Sequence, residues 1–414
     1  MKIIIRKNFN LGFAVLLAVF LFQDAISEAN SLFSYFDEIE SVILSVILCI
    51  VLFLRREIPF DKYQKKLFFS FIFVIITGLI GNRMSAYQTM PYIAVDIFVY
   101  SKFLINILAI DFLIRDEKIR KYEDTAWKVS CISSLVLTGL VIHEMFAKYP
   151  IWPYMSDRYG VRSLKLFFSN QTYLALIGIM LLILHYYLGE HRQGKTFFII
   201  LDMLISASTF RTKALGFIAV AALIIFVFGG KRRITKLNLI CMGIVIGFVA
   251  LAVGYDYLNQ YYLSGNEYSI RLQILEGGVE LANMYKPFGT GFGTYCSLGA
   301  KLNYSEAYDL LGMRNMYLWD SMYDNLWASI IGQLGFAGTL FYLYFIFRLL
   351  VMIIQIRKIS IRKFWAGILV CAYLVIASLG EASFNAFYVC FMGGLIGFLY
   401  NSAKQEKIEN EMEQ

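Results

Sequence analysis

The sequence predicts an all-α, polytopic transmembrane helical bundle of about twelve spans, with a long external loop that contains an amphipathic helix. Three observations predict it. The 414 residues are 59% hydrophobic and only 16% charged, against about 25% charged in an ordinary soluble domain. Apolar runs of near-spanning length recur along the chain, and a bilayer core of ~30 Å needs about 20 such residues as a helix. The basic residues fall mostly in short segments between those runs, as membrane topology distributes them. The formal charge of +8 therefore reads as topology, and nucleic acid is not an expected partner.

Twelve segments qualify as spans, near 10–27, 39–54, 66–84, 92–114, 126–147, 171–189, 195–208, 210–229, 236–258, 323–350, 363–380 and 384–402. Residues that snorkel at the ends allow the shorter ones. The first run follows Lys2, Arg6 and Lys7. It lacks a clear small-residue cleavage site before the acidic stretch that follows, so it reads as an uncleaved helix rather than a signal peptide. The connections then alternate. MKIIIRKN, RREIPFDKYQKK, RDEKIRKYED, EHRQGK, GGKRRITK, IRKISIRK and the tail AKQEKIENEMEQ are nearly all rich in Lys and Arg. The positive-inside rule places this set in the cytoplasm together with both termini. The opposite set holds SEANSLFSYFDEIE, GNRMSAYQTM, residues 148–170, the turn at Ser208, residues 259–322 and GEASFN. The chain thus divides into nine spans over 1–258, the external loop 259–322, three spans over 323–402 and a cytoplasmic tail, 403–414.

Cysteine and histidine add no site of their own. The six cysteines stand singly with no CxxC, and His143, His185 and His191 lack metal-ligand spacing. Neither a disulfide framework nor a metal is expected, and no cofactor is implied.

Two external connections, 148–170 and 259–322, exceed the roughly 12–15 residues beyond which a connection is usually functional or disordered. The second is not polar enough for disorder. Within it RLQILEGGVELANMYK puts Leu272, Leu275, Val279 and Ala282 on one helical face, with Arg271, Glu276 and Glu280 elsewhere. That spacing suits an amphipathic helix lying along the bundle.

Three constellations carry candidate chemistry. STFRTKALGF places Arg211 and Lys213 at the external mouth of the eighth span. Ser206, Ser208 and Thr209 are N-cap candidates there, and a helix N-terminus with two added cations is an anion site. The plainer alternatives are snorkelling to lipid headgroups or an Arg211–Asp202 pair. PFGTGFGTY sets Gly289, Gly291 and Gly293 at alternate positions, a turn where backbone approaches a ligand or a neighbouring helix. In WDSMYDNLWASIIGQLGFAGTLF, Asp320 and Asp324 lie four apart, on one face of a helix. A desolvated carboxylate there would serve as a base; an acidic helix cap is the alternative. Gly332, Gly335 and Gly338 read as a packing ridge. The tyrosines around the long loop read either as an interfacial belt or as stacking platforms for sugar rings.

Taken in order, four segments resemble the O-antigen polymerase and ligase superfamily of membrane proteins. They are VRSLKLFFSNQTY, STFRTKALGF, RLQILEGGVELANMYKPFGTGFGT and DNLWASIIGQLGFAGTLFY, and they are spread over residues 161–342, a little under half of the chain. The resemblance implies a GT-C-like bundle in the cytoplasmic membrane. It further implies a glycosyltransferase that polymerises oligosaccharide repeats carried on undecaprenyl pyrophosphate, at the outer face of that membrane. The product would be an O-antigen, capsular or exopolysaccharide. Arg211, Lys213 and Arg271 would then hold the pyrophosphate leaving group, with Arg162 serving the second substrate. Asp324 or Asp320 would take the acceptor's proton, with no metal. Ligases of the family typically have His–Asn where this chain has Asp324–Asn325, which points to a polymerase. The alternatives are a ligase moving finished polymer to an acceptor and a flippase for the lipid-linked repeat. A chain-length regulator and a flippase are the implied protein partners.

Overall fold

The computed structural model describes residues 2–55, 60–115, 119–153, 156–158, 160–190, 192–228 and 270–412. Among them the chain is a helical bundle. Its first part holds α1 (Lys2–Ala29), α2 (Phe36–Arg55), α3 (Lys62–Ser85), α4 (Met90–Leu113), α5 (Ile119–Phe146), α6 (Gln171–Leu188), α7 (Lys195–Ala207) and α8 (Thr212–Ala222). Then come α9 (Ile270–Met284), α10 (Leu298–Leu302), α11 (Ala307–Leu310), α12 (Leu326–Ile356), α13 (Ile361–Ser378) and α14 (Val389–Met412). One small departure from all-α is the hairpin of β1 (Ser156–Arg158) and β2 (Val161–Ser163). Every expected span except 236–258, which lies outside the described residues, coincides with a helix. Seven described helices, or parts of them, are long and apolar enough to cross a bilayer by length and composition, in α1, α3, α4, α5, α6, α12 and α13.

Burial orders these helices. In α6, 89% of the apolar window is buried inside the protein, against 17% for α1. A helix apolar all round and buried all round belongs at the centre, and α6 packs against α5, α7 and α13. Helices α3 and α5 instead bury one stripe and turn residues such as Phe69, Phe73, Ile132 and Val136 outward, as lipid-facing helices do. α7 has 13 residues, about 20 Å at 1.5 Å per residue. The turn after it therefore falls short of a full ~30 Å crossing.

Starts of helices follow their side chains. Asp61 Oδ1 accepts from the Tyr63 and Gln64 amides at 2.9 and 3.0 Å, and Gln64 Oε1 accepts from the Asp61 amide at 3.1 Å. This is a capping box. Asn170 caps α6 through the Thr172 amide at 3.0 Å. Asn325 caps α12 through the Ala328 amide at 3.1 Å.

The interruption of α12 organises the rest. At Gly335 the backbone turns to φ 63°, ψ −168°, a conformation that excludes a Cβ at low cost. The carbonyls of Gly332 and Gln333 and the amide of Ala337 are met by the glycine turn. Thr290 N donates to Gly332 O at 3.1 Å, Gly291 N to Gln333 O at 2.7 Å, and Ala337 N to Pro287 O at 3.0 Å. The turn's other side is held by α3 and α4. Asn82 exchanges two 2.8 Å hydrogen bonds with the Phe292 backbone. Asp96 accepts from Gly293 N at 2.7 Å and Gly299 N at 2.6 Å. A Cβ on Gly291 would stand 2.2 Å from Asn82 N, and one on Gly289 would stand 2.4 Å from Gly335 N. The three glycines therefore let backbone meet helix, and the turn is buried.

Around this anchor the 270–325 segment folds with its own core of Ile274, Leu281, Tyr295, Tyr308 and Met322, sealed by Ala328 of α12. α9 does bury one face, which overlaps the expected one in part: Ala282 is buried and Leu272 and Leu275 are half-buried. Ile274, Gly277, Gly278, Leu281 and Ala282 are buried, whereas Val279 is 37% exposed. The cause is the glycine pair: a Cβ on Gly278 would stand 2.7 Å from Ala328 O, so closest approach to α12 is possible only on that side.

At the opposite end of α3, the residues expected as a tail continue α14 without a break to Met412. Lys404 Nζ lies 2.8 Å from Asp61 and 3.1 Å from the buried Asp111. Burial pushes the Asp61 carboxyl up, but the Lys404 ammonium and the Gln64 amide outweigh it, so it sits below the ordinary 3.8.

Two predictions follow from this architecture. Gly335→Ala should destabilise the purified protein by at least ~1–3 kcal/mol from backbone strain alone, read as an earlier thermal transition. Gly139→Ala, where a Cβ meets nothing within 4 Å, should be close to neutral; equal effects would contradict the packing account. Asp61 has a depressed folded pKa, so its contribution is present above the unfolded value and lost as pH falls through the folded one. Asp61→Asn should accordingly remove part of the stability difference between neutral pH and pH values below about 4, and an unchanged pH profile would sink that assignment.

Candidate functional site

The turn from α7 to α8 is built from the Ser/Thr cluster. Ser208 Oγ donates to Ile205 O at 2.7 Å and Thr209 Oγ1 to Ser206 O at 2.8 Å, while Ser206 Oγ donates to Ala175 O at 3.1 Å. These hydroxyls are therefore spent on carbonyls and are not the caps expected of them. Arg211 itself holds the N-cap position of α8, with no side-chain cap. The hairpin strand β2 closes over the turn: Ser163 Oγ donates to Thr209 O at 2.6 Å and Leu164 N to Ser208 O at 3.2 Å.

Arg211 and Lys213 part company here. Arg211 Nη2 donates to Asn170 Oδ1 at 2.9 Å. With the Gln171 amide nitrogen turned to Ser163, the Gln171 oxygen also accepts from Arg211 Nε at 3.0 Å. Arg211 thus ties the start of α8 to the start of α6. The Arg211–Asp202 pair is not formed; Asp202 is buried against His185 Nδ1 at 2.6 Å and Ser134 Oγ at 2.5 Å. Lys213 reaches instead to Glu381, in the connection between α13 and α14, and forms an ion pair with it. Tyr388 Oη donates to the other Glu381 oxygen at 2.6 Å.

Arg271 enters from the first turn of α9. Burial pushes its guanidinium below its ordinary pKa, while the charges of Asp324 and Glu381 pull it back up. An arginine stays protonated under such a shift, so it remains a cation facing two carboxylates. Asn325, the α12 cap, donates Nδ2 to Arg271 O at 3.4 Å. The cap that starts α12 therefore also touches the backbone that carries Arg271.

Asp324 and Glu381 line one cavity of about 310 Å³, with Lys301, Lys102, Tyr388 and Asn385. Lys301 stands 5.2 Å from the Tyr323 ring centroid, a cation–π distance. The floor is a buried ion cluster: Lys102 Nζ lies 2.5 Å from Asp37 and 3.1 Å from Glu38, with Lys102 and Asp37 only 2% and 1% exposed. Asn385 Oδ1 is buried and has no hydrogen-bond partner among the described residues. The arrangement can hold an anion against Lys213 and Arg271, accept a proton at Asp324, and offer hydrogen bonds to a polar ligand between them. Among the described residues no group of three or more His, Cys, Asp or Glu side chains is placed to hold a metal ion.

Other expectations sort as follows. Asp320 and Asp324 do not share an α-helical face. They bound a short 3₁₀ helix, Asp320–Asp324, that precedes α12, and at three residues per turn positions four apart diverge. The Asp320 side chain lies outside the described residues, and Asp324 is exposed at the cavity rim rather than desolvated. The acidic-cap alternative fails too, because Asn325 is the cap. Arg162 Nη1 donates to Ala147 O at 2.8 Å, which ties β2 to the end of α5; its described contacts do not bring it to the cavity. Gly289, Gly291 and Gly293 are structural, as shown above. Tyr295 and Tyr308 are fully buried core residues and not sugar platforms; Tyr255, Tyr257, Tyr261, Tyr262 and Tyr268 lie outside the described residues.

Sequence reasoning missed Glu381, Lys301 and the Lys102 cluster. Lys102 had a signal, since it is a lone cation within the span expected at 92–114 and the rule that singles out Arg211 applies to it equally. Glu381 had a weaker one, as the only charge in GEASFN. Lys301 had none: it is one basic residue among several in a long loop. No family model matches the chain, and no curated protein matches it.

Proposed function

We propose that this protein polymerises lipid-linked oligosaccharide repeats, with the 310 Å³ cavity as the place where two substrates meet. The reading takes the resemblance of its four sequence segments as a guide to chemistry. The single observation that supports it best is that Lys301, Asp324 and Glu381 line that cavity, with Lys213 paired to the same Glu381 and the charge of Arg271 felt by Asp324 and Glu381. These residues come from five separate parts of the chain. In this reading the bundle crosses the cytoplasmic membrane twelve times in a GT-C-like arrangement, both termini are cytoplasmic, and the cavity opens on the outer face.

The donor is a glycan on undecaprenyl pyrophosphate. Its C1–oxygen bond is already activated, so the reaction needs a place for the departing charge and a route for one proton. Lys213 and Arg271 hold the pyrophosphate, the guanidinium through paired donors. A sugar hydroxyl of the second substrate attacks C1, the C1–O bond breaks with its electron pair leaving on the pyrophosphate, and the hydroxyl proton passes to the Asp324 carboxylate. Arg211 acts one step back, fixing α8 against Asn170 so that Lys213 reaches the seat. A chain-length regulator and a flippase remain the partners this activity would require.

The test is purified protein in nanodiscs with the lipid-linked repeat as sole substrate, products resolved on a gel. A ladder of multiples is expected from the wild type. Arg271→Ala should lower the rate by about 10²–10³, the loss typical of one donor to developing charge, and Arg271→Lys should recover little of it. Asp324→Asn should cost roughly 10²–10⁴. Wild-type ladders from both Arg271→Ala and Asp324→Asn would rule the assignment out.

A further inference from the structure

Glu381 is the residue in the seat whose role the chemistry above does not require. Its two carboxylate oxygens are both engaged, one by Lys213 Nζ and one by Tyr388 Oη. Arg271 faces the same carboxylate. The Lys213 and Glu381 side chains are 20% and 18% exposed, so the pair is sheltered from the screening that weakens surface ion pairs. An ammonium and a phenolic hydroxyl on two oxygens, with the positive charge of a guanidinium felt at the same group, is also how a phosphoryl group is held. The carboxylate stands where an oxyanion ligand would.

We propose that Glu381 is a specificity-determining residue, a built-in counter-anion that a pyrophosphate displaces and a singly charged phosphodiester does not. The proposal rests on the reading of this seat as the pyrophosphate site. A bilayer presents phosphodiester headgroups, each with one negative phosphate charge, in large excess over any lipid-linked substrate. A bare Lys213–Arg271 pair near the membrane boundary would fill with them. Glu381 already supplies one negative charge, and as a tethered group it competes at high effective concentration. A ligand with the same single charge gains nothing by exchange. A pyrophosphate brings a second charge and a second phosphoryl group, enough to engage Lys213 and Arg271 together. Discrimination of this kind works by building in a repulsive element against the wrong ligand.

The experiment titrates the full-length protein in detergent with inorganic pyrophosphate and, separately, with a short-chain phosphatidylglycerol, by calorimetry. The wild type should prefer pyrophosphate strongly. Glu381→Gln should bind phosphatidylglycerol on the order of tenfold or more tightly than the wild type does, the scale expected from removing one like charge at about 4 Å. Glu381→Asp, which keeps the charge, should retain most of the preference, and Lys213→Ala should weaken both ligands. Thermal melting of each variant reports whether it is folded. Unchanged phosphatidylglycerol binding in Glu381→Gln, or weaker binding of both ligands, overturns the proposal while leaving the polymerase reading to its own gel assay. Absence of pyrophosphate binding in the wild type overturns both.

Discussion

Backbone polar groups in a bilayer must find partners within the protein, because lipid offers none. The break of α12 at Gly335 is where this constraint presses hardest. It frees carbonyls and an amide in the first third of a 31-residue helix, and the turn from Pro287 to Gly293 satisfies them. The turn continues directly from α9, α9 packs along α12 and touches the 3₁₀ helix before it, and these deliver Arg271 and Asp324. Asp96 and Asn82 complete the clamp from α4 and α3. A long connection that would otherwise wander is held as part of the bundle by hydrogen bonds from three helices.

Much of this was legible in the sequence, for reasons that can be named. Length and hydropathy located the helices because a bilayer imposes one spacing on every crossing. The 259–322 segment stood out because it is too long and too apolar for a plain connection. The Gly–Thr–Gly–Phe–Gly run announced a close backbone approach, though not which neighbour. What failed was local geometry set by tertiary contacts. The buried face of α9 is rotated away from Val279 because Gly277 and Gly278 count as neither apolar nor polar in a periodicity argument, yet they decide where α12 can come closest. The Asp320–Asp324 spacing was misread because an α-helical period was assumed for residues that form a 3₁₀ turn. Ser206, Ser208 and Thr209 look like caps by type, but their hydroxyls turn to carbonyls behind them.

The candidate site itself was legible only by halves. Charges that stand alone in apolar sequence, such as Arg211 and Lys213, announce themselves. Their partners do not, because pairing is decided in space: Lys213 meets Glu381 across 168 residues, and Arg211 meets Asn170 across 41. Two cations two residues apart thereby meet different partners, one fastening helices and one pairing with a carboxylate that lines the cavity.

The buried pair at the cavity floor bears on how the chain is made. Lys102 lies near the middle of α4, with Asp37 at the start of α2. A lone lysine at the centre of a nascent span costs about 2.5–3.5 kcal/mol on insertion scales. Asp37 is synthesised earlier, so its helix is already in place when α4 leaves the ribosome. The order of the two helices along the chain lets the charge of the second be met by the first as it enters the bilayer. The charge of α4 is thus met by its earlier neighbour α2, and a chain that lost Asp37 would leave Lys102 with Glu38 alone as its carboxylate.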